Sequence, residues 1–278
     1  MFFRNNRNII KNIYLYFFLV IFSIVFSFPF LWLLSTALKS NTENIFEYPP
    51  KFIPEKITLN NFIEVWNTIP MMTYFTNSLI IAFISVILNL VFSSMAAYPL
   101  ARIEFKGKNI IFYSILSTMM IPFQVIMIPI FIICMKLNLT NTYIGVILPT
   151  SVSAFGIFLM RQAYLSIPKE LEESALIDGC SIFQIWYYLF IPLTKPSLIT
   201  LGVFSFVSSW SDFLWPLIIL KDIEKYTLPL GISYLMGAFS SNWRLIAAGS
   251  IISIIPIIIL FIVLQKFFIN TTEGAIKG

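Results

Sequence analysis

Long apolar runs alternate with polar or proline-rich stretches along this chain of 278 residues. A helix that crosses a lipid bilayer needs about 20 mostly apolar residues, and each run is at least that long. The pattern therefore predicts an all-α, polytopic membrane protein with about six transmembrane helices. The predicted spans are residues 12–36, 73–98, 109–134, 142–163, 196–220 and 245–268.

The composition supports a lipid environment. The chain is 58% hydrophobic and 11% charged, whereas a soluble domain carries roughly 25% charged residues. Its net charge of +5 does not indicate nucleic acid as a partner, because the basic residues flank the apolar runs. A basic N-terminus before an apolar run could also mark a signal peptide. That run is too long and lacks a small-residue cleavage site, so a retained span is predicted.

The distribution of Lys and Arg predicts that both termini are cytoplasmic. The loop at 102–108 carries three basic residues, whereas the loop at 135–142 carries one. On this topology, residues 1–72 form an N-terminal cytoplasmic tail, the first transmembrane helix and an external loop. Residues 73–278 form a five-helix core, which includes a polar cytoplasmic loop at 164–195.

The sequence offers no chemistry that is typical of an enzyme. It has no histidine, the commonest side chain for proton transfer and metal binding at neutral pH. Neither a GxSxG elbow nor a GxxxxGK[ST] phosphate loop occurs. No catalytic residue, metal site or cofactor is therefore predicted in this chain. Cys134 and Cys180 lack CxxC spacing and fall on opposite predicted sides of the membrane, so no disulfide is expected.

The polar loop at 164–195 is the most patterned cytoplasmic stretch. Pro168 suits the first turn of a helix, and the acids that follow suit the positive end of its dipole. Gly179 can end that helix, and the Ser181–Gln184 spacing is a capping box that opens a second one. Pro192 and Pro196 are predicted to end the second helix. The predicted object is a helix–Gly–helix elbow on the cytoplasmic face, called the elbow below.

The elbow resembles the EAA loop of ABC-importer permeases, whose pattern is E-A-A-x3-G-x9-I-x-L-P. The spacing is intact, with Ser in place of one Ala and with Leu and Ile exchanged. The matching positions are Glu173, Ser174, Ala175, Gly179, Leu189, Ile191 and Pro192. Without this spacing, the acids could be a solvated helix face and Gly179 an ordinary helix cap.

The resemblance implies that the elbow is a coupling helix that docks in a cleft of a cytoplasmic ATPase. Ser174 and Ala175 would let the helix seat closely, since both side chains are small. Glu173 would offer a carboxylate to a basic group of the ATPase. Gly179 would supply the sharp turn between the two helices.

Further motifs along most of the chain resemble the carbohydrate uptake family, specifically the second permease of maltose and glycerol-3-phosphate importers. Phe62 and Ser211 depart from the family's usual Tyr and Asn. The matching segments are Tyr48-Pro49-Pro50, Ile53-Pro54, Tyr74 to Leu79, Tyr98 to Arg102, Trp210 to Leu217, and Gln265 to Phe268 with Gly274 to Gly278.

That resemblance implies the type I ABC importer permease fold in a bacterial cell membrane. The implied partners are a second homologous permease, two cytoplasmic ATPase subunits that bind ATP and Mg, and an extracellular solute-binding protein. The solute would be a sugar, an oligosaccharide or glycerol-3-phosphate, and the sequence does not distinguish these. Hydrolysis would belong to the ATPase partner.

Asp212 is the only acid inside a predicted span, where a charge is costly unless it faces a cavity or a partner. With Trp210, Ser211 and Trp215 it forms a candidate substrate path, because aromatic faces and a carboxylate suit a sugar. These residues could instead be an interfacial aromatic belt with a packing Asp. Weaker candidates are Asn89, Ser93 and Ser94, which could equally hold helices together.

Two other classes of membrane protein fit the sequence less well. A secondary transporter usually has more spans, visible repeats and midplane acids, whereas this chain has one off-centre Asp and no repeat. An intramembrane enzyme would need catalytic or metal-binding residues that the sequence lacks. An importer subunit should co-purify with an ATPase and a second permease, and a secondary carrier should not.

Overall fold

A computed structural model describes the backbone of residues 3–236 and 242–274, and the side chains of residues 12, 14–236 and 242–265. The C-terminal motif at 275–278 lies outside these residues. Every element in the described ranges is a helix. The α-helices are α1 Phe3–Leu38, α2 Asn60–Thr68, α3 Met71–Arg102, α4 Lys108–Thr118, α5 Phe123–Lys136, α6 Tyr143–Ile147, α7 Ala154–Leu165, α8 Lys169–Ile177, α9 Ile182–Gln184, α10 Ile191–Leu193, α11 Lys195–Trp210, α12 Leu214–Ile219, α13 Leu228–Ser233 and α14 Trp243–Gly274.

Three described helices are long and apolar enough to cross a bilayer by themselves: Tyr14–Leu38, Met71–Arg102 and Trp243–Gln265. Three further spans are possible if each of three bent helix pairs is counted as one. The bends measure 100° between α4 and α5, 45° between residues 143–150 and α7, and 82° between residues 182–193 and α11. The predicted number of about six spans is reached only by including the bent pairs.

The predicted span at 196–220 is wrong as a single helix. The chain leaves the helical conformation after Trp210 and starts a new helix, α12, at Leu214. The Asp212 carboxylate accepts a hydrogen bond from the backbone N–H of Trp215, with 3.3 Å between the atoms. A side chain that satisfies a free N–H at a helix start favours a break at that point.

One compact unit comprises residues 1–69 and 232–253. Its loop after α1 is held by the buried Asn61, whose amide donates to the carbonyls of Ala37 and Lys39 at 2.8 Å each. The carboxylate of Glu43 accepts hydrogen bonds from the backbone N–H groups of Glu55, Lys56 and Ser40. Burial opposes ionisation of this carboxyl, but these bonds outweigh it and lower the pKa of Glu43.

The second compact unit comprises residues 70–231 and 254–278. In it α3 packs along α7 and α11. Gly156 of α7 lies against α3 so closely that a Cβ there would be 2.6 Å from the hydroxyl oxygen of Ser93. Small residues at helix contacts allow such close approach in membrane proteins. The buried core of this unit includes Ala97, Tyr98, Leu100, Met160, Tyr164, Phe190 and Leu201.

Candidate functional site

The elbow begins with the nine-residue helix α8, none of whose residues is buried. Pro168 lies just before the helix in an extended conformation, with ψ of 139°, so its predicted place in the first turn is wrong by one position. Because a proline ring disfavours the helical conformation in the residue before it, Pro168 still marks the helix start. Glu170 and Glu172 occupy the first turn, where the helix dipole stabilises their charge.

Gly179 ends α8 in the left-handed conformation, with φ of +82°. Its N–H donates to the Leu176 carbonyl, and the N–H of Cys180 donates to the Ala175 carbonyl, at 3.0 Å each. This is the hydrogen-bond pattern of a Schellman motif. A Cβ at Gly179 would have no other atom within 4 Å, so the backbone conformation and not crowding favours glycine there.

The second helix of the elbow opens with the predicted capping box between Ser181 and Gln184. It continues as a π-helix, Ile185–Phe190, and ends with α10 at Leu193. The prediction that Pro192 ends this helix is therefore wrong, since the break comes at Thr194. A proline removes one hydrogen bond and crowds the carbonyl four residues earlier, and the wider π turn before Pro192 accommodates both effects.

Arg102, at the end of α3, fixes the first helix of the elbow. Its side chain is 3% exposed, and its Nε lies 3.6 Å from a carboxylate oxygen of Glu172. Its Nη2 donates to the carbonyls of Tyr164 and Ile167 at 2.7 and 2.5 Å. The hydroxyl of Tyr98 donates to the other oxygen of Glu172 at 2.7 Å. Charge-assisted hydrogen bonds of this kind are the strong ones.

Phe190 fixes the second helix of the elbow. Its ring lies edge-on to Tyr98 at 5.1 Å and to Tyr164 at 5.2 Å between centroids. The guanidinium of Arg102 lies 4.9 Å from the same ring, within cation–π range. Both helices of the elbow are therefore bound to the ends of α3 and α7, which would transmit a displacement of the elbow to those helices.

The outer side of the elbow exposes apolar side chains, and Ile177 is 86% exposed. Of the predicted coupling residues, Glu173, Ser174, Gly179 and Pro192 are exposed. Ala175, Leu189 and Ile191 are half-buried and pack against the core instead. Other large exposed apolar residues of the elbow include Leu171, Leu176, Ile182 and Phe183. Sequence reasoning named neither Ile177 nor the anchor at Arg102.

Asp212 lines a polar cavity of about 250 Å³ between α3, α11 and the segment that joins α6 to α7. The hydroxyls of Ser85 and Ser205 are buried there and have no hydrogen-bond partner among the described residues. The amide oxygen of Asn89 accepts from Ser93 at 2.7 Å and from Ser153 at 3.2 Å. The other polar residues that line the cavity are Thr150, Ser208 and Ser209. A buried hydroxyl without a partner in the protein favours a ligand or water that can hydrogen-bond to it.

The two tryptophans that flank Asp212 do not line this cavity. Trp210 is buried with Phe75 and Phe206, each 5.5 Å away between ring centroids. Trp215 is buried, and its indole N–H donates to the Gly145 carbonyl at 3.1 Å. Ser211 is exposed and also lies outside the cavity lining. The structure thus separates Asp212 from the other three residues of the predicted substrate path.

The side chain of Asn141 holds the loop that follows α12, at Lys221 and Asp222. Its amide donates to the Asp222 carboxylate at 2.7 Å, and its carbonyl oxygen accepts from the N–H groups of Lys221 and Asp222. The hydrogen bond from Lys225, and then the one from Asn141, lower the pKa of Asp222. Among the residues whose side chains are described, no three His, Cys, Asp or Glu residues gather as a metal site.

The sequence matches the family described as binding-protein-dependent transport system inner membrane component over residues 89–273. It is 40% identical over 254 residues to the arabinooligosaccharides transport system permease protein AraQ of Halalkalibacterium halodurans, covering 90% of this chain and 91% of that protein. It is 34% identical over 259 residues to the diacetylchitobiose uptake system permease protein DasC of Streptomyces coelicolor, covering 90% and 92%.

Among solved structures, the fold is similar to a chain of a bacterial ABC transporter involved in the import of the acidic polysaccharide alginate. The TM-score is 0.81 at 26% identity, and the similarity covers 93% of this chain and 96% of that one. The family match spans most of the chain and includes the elbow, and the fold similarity agrees with it. The chain therefore belongs to the family of binding-protein-dependent transport system inner membrane components.

Proposed function

We propose that this chain is the permease subunit of an ABC importer that moves a carbohydrate into the cytoplasm. The relatives named above are permeases for arabinooligosaccharides and for diacetylchitobiose, which favours a sugar or an oligosaccharide. The observation that carries the proposal is the elbow, which is anchored to α3 and α7 on one side and exposes apolar side chains on the other.

ATP hydrolysis belongs to a partner in this proposal. Two cytoplasmic ATPase subunits bind ATP and Mg, and one of them receives the elbow in a surface cleft. Ile177 and Phe183 supply apolar contact area there, and Glu173 lies exposed for a basic group of the ATPase. Closure of the ATPases pushes the elbow, and Arg102 and Phe190 pass that displacement to the spans.

The assembly further requires a second homologous permease and an extracellular solute-binding protein that delivers the solute. The polar cavity at Asp212 lies along the proposed solute path, and its hydroxyls and carboxylate can exchange hydrogen bonds with a sugar. Its volume of about 250 Å³ lies just below the roughly 300–1,000 Å³ of typical ligand pockets. The cavity therefore suits contact with one sugar ring at a time. Trp210 and Trp215 support this path by packing and not by stacking on the solute, and Ser211 lies outside the cavity.

The complex reconstituted in proteoliposomes tests this function. We expect the chain to co-purify with an ATPase and a second permease. ATP hydrolysis should rise when solute-binding proteins loaded with oligosaccharides or sugars are added. Binding proteins loaded with an amino acid serve as the control and should give no rise. Transport by the purified chain alone, without ATP, would contradict the proposal and would favour a secondary carrier.

A further inference from the structure

A basic cavity of about 640 Å³ lies where the end of α3, the start of α4 and the end of α7 meet. It shares no lining residue with the polar cavity at Asp212, and it is separate from the exposed apolar side chains of the elbow. Four cations and one acid line it, so its formal charge is strongly positive. These residues are Arg102, Lys108, Arg161, Lys169 and Glu104.

Two of the four cations are occupied by the protein itself. Arg102 holds the elbow, as described above, and Lys108 donates to the Ala101 carbonyl and to Glu104 at 3.2 Å each. Arg161 donates a hydrogen bond only through its Nε, to the Leu100 carbonyl at 3.0 Å, and the face of its guanidinium lies 4.0 Å from the Phe112 ring. Lys169 is exposed. Among the described residues neither Arg161 nor Lys169 forms an ion pair, so both have donors left for an anion.

The start of α4 also favours the binding of an anion. Gly107 precedes this 11-residue helix in the left-handed conformation, and no described side chain caps its first turn. The N–H groups of Asn109 and Ile110 lie in that turn, where a helix leaves them without an internal partner. Both residues line the cavity. Free N–H groups at the positive end of a helix bind phosphate readily.

Apolar side chains border the cavity beside these donors. Ile110 is 73% exposed, and Phe105 and Leu165 are also exposed. A phosphate group in the basic cavity would thus have an apolar surface next to it, on a chain whose helices cross a membrane. A free phosphate ion would leave that apolar surface exposed, whereas the acyl chains of a phospholipid would cover it.

We propose that this cavity binds the phosphate of an anionic phospholipid headgroup. Basic pockets between transmembrane helices attract such headgroups, and each Lys or Arg near the membrane surface contributes about fivefold in affinity. Arg161 and Lys169 contact the phosphate, the start of α4 supplies N–H donors, and the acyl chains lie along Ile110 and Leu165. The proposed lipid site does not depend on the identity of the solute.

Native mass spectrometry of the purified importer complex, titrated with phosphatidylglycerol or phosphatidylcholine, tests the site. The wild-type complex should retain phosphatidylglycerol in preference to phosphatidylcholine. Lys169→Gln should weaken phosphatidylglycerol binding about fivefold, and the double variant with Arg161→Gln about 25-fold. Because Lys169 is exposed, its substitution leaves the fold intact even if loss of the Arg161 hydrogen bond destabilises the double variant.

Lys195→Gln is the matched control, since Lys195 is an exposed lysine outside the cavity. It should bind phosphatidylglycerol as the wild type does, and Arg161→Lys should retain most of the binding. Equal losses for Lys169→Gln and Lys195→Gln would overturn the site. Displacement of phosphatidylglycerol by excess inorganic phosphate would assign the cavity to free phosphate and overturn the lipid source.

Discussion

Replacing Gly179 with valine is expected to abolish solute-stimulated ATP hydrolysis by the assembled importer while leaving the chain in the membrane. The left-handed conformation costs an L-residue roughly 1–2 kcal/mol, and a β-branched side chain tolerates it least. A Cβ at Gly179 would contact no neighbouring atom, so the cost is backbone strain alone, and reopening the turn relieves it. The two helices of the elbow then change their relative direction, and the ATPase can no longer dock on them.

The chain contains a matched control for this substitution at Gly107. That glycine has nearly the same φ, +84°, and equally open surroundings, but it lies outside the elbow. Gly107→Val should therefore retain solute-stimulated hydrolysis. Gly179→Asn should retain much of it, because Asn adopts the left-handed conformation more readily. Normal stimulation in the Gly179→Val complex would refute a docking role for the elbow.

Replacing Arg102 with glutamine should destabilise the protein by about 1–3 kcal/mol, the usual cost of leaving buried polar groups without their hydrogen-bond partner. The change leaves the carbonyls of Tyr164 and Ile167 without their donor and Glu172 without its cation. Phe190 also loses its cation–π contact. Thermal unfolding of the purified complex in detergent measures this as a lower apparent Tm.

A double-mutant cycle separates the ion pair from the rest of the loss. Adding Glu172→Gln to Arg102→Gln removes the unpaired carboxylate, so the double variant should be more stable than the sum of the two single losses indicates. Additive losses would show that Arg102 acts on the two carbonyls and on Phe190 but not on Glu172. An unchanged Tm in Arg102→Gln would contradict the anchoring of the elbow altogether.

The apolar pattern predicted five of the six candidate spans, but it placed one at 196–220 where the bent pair covers residues 182–210, and it did not predict where the helices bend. Hydropathy averages over about 20 residues, whereas the break after Trp210 depends on one carboxylate, Asp212, that caps the next helix. The helix after Ser181 similarly passes through Pro192 because a π turn makes room for it. Neither effect has a signature in composition or period.

The candidate site was likewise predictable only in part. Gly179 and the capping box at Ser181 were predictable because turn and cap chemistry is local in sequence. The contacts of Arg102 with Tyr164 and Ile167 bridge 62 and 65 residues, so only the folded chain shows them. For Trp210 and Trp215 the sequence suggested a contact with the solute, whereas both side chains are buried. An aromatic residue beside an acid looks the same in sequence whether it packs in the core or faces a solute.

The central claim is that the elbow docks on an ATPase. A photo-crosslinking residue in place of Ile177, which is exposed on the elbow, tests it most directly in the assembled complex. Ile128 on α5, which is 70% exposed, is the control position because it lies in a predicted span. We expect a covalent product between this chain and the ATPase from position 177 and none from position 128. No ATPase product at 177, or equal yields at both positions, would contradict the claim.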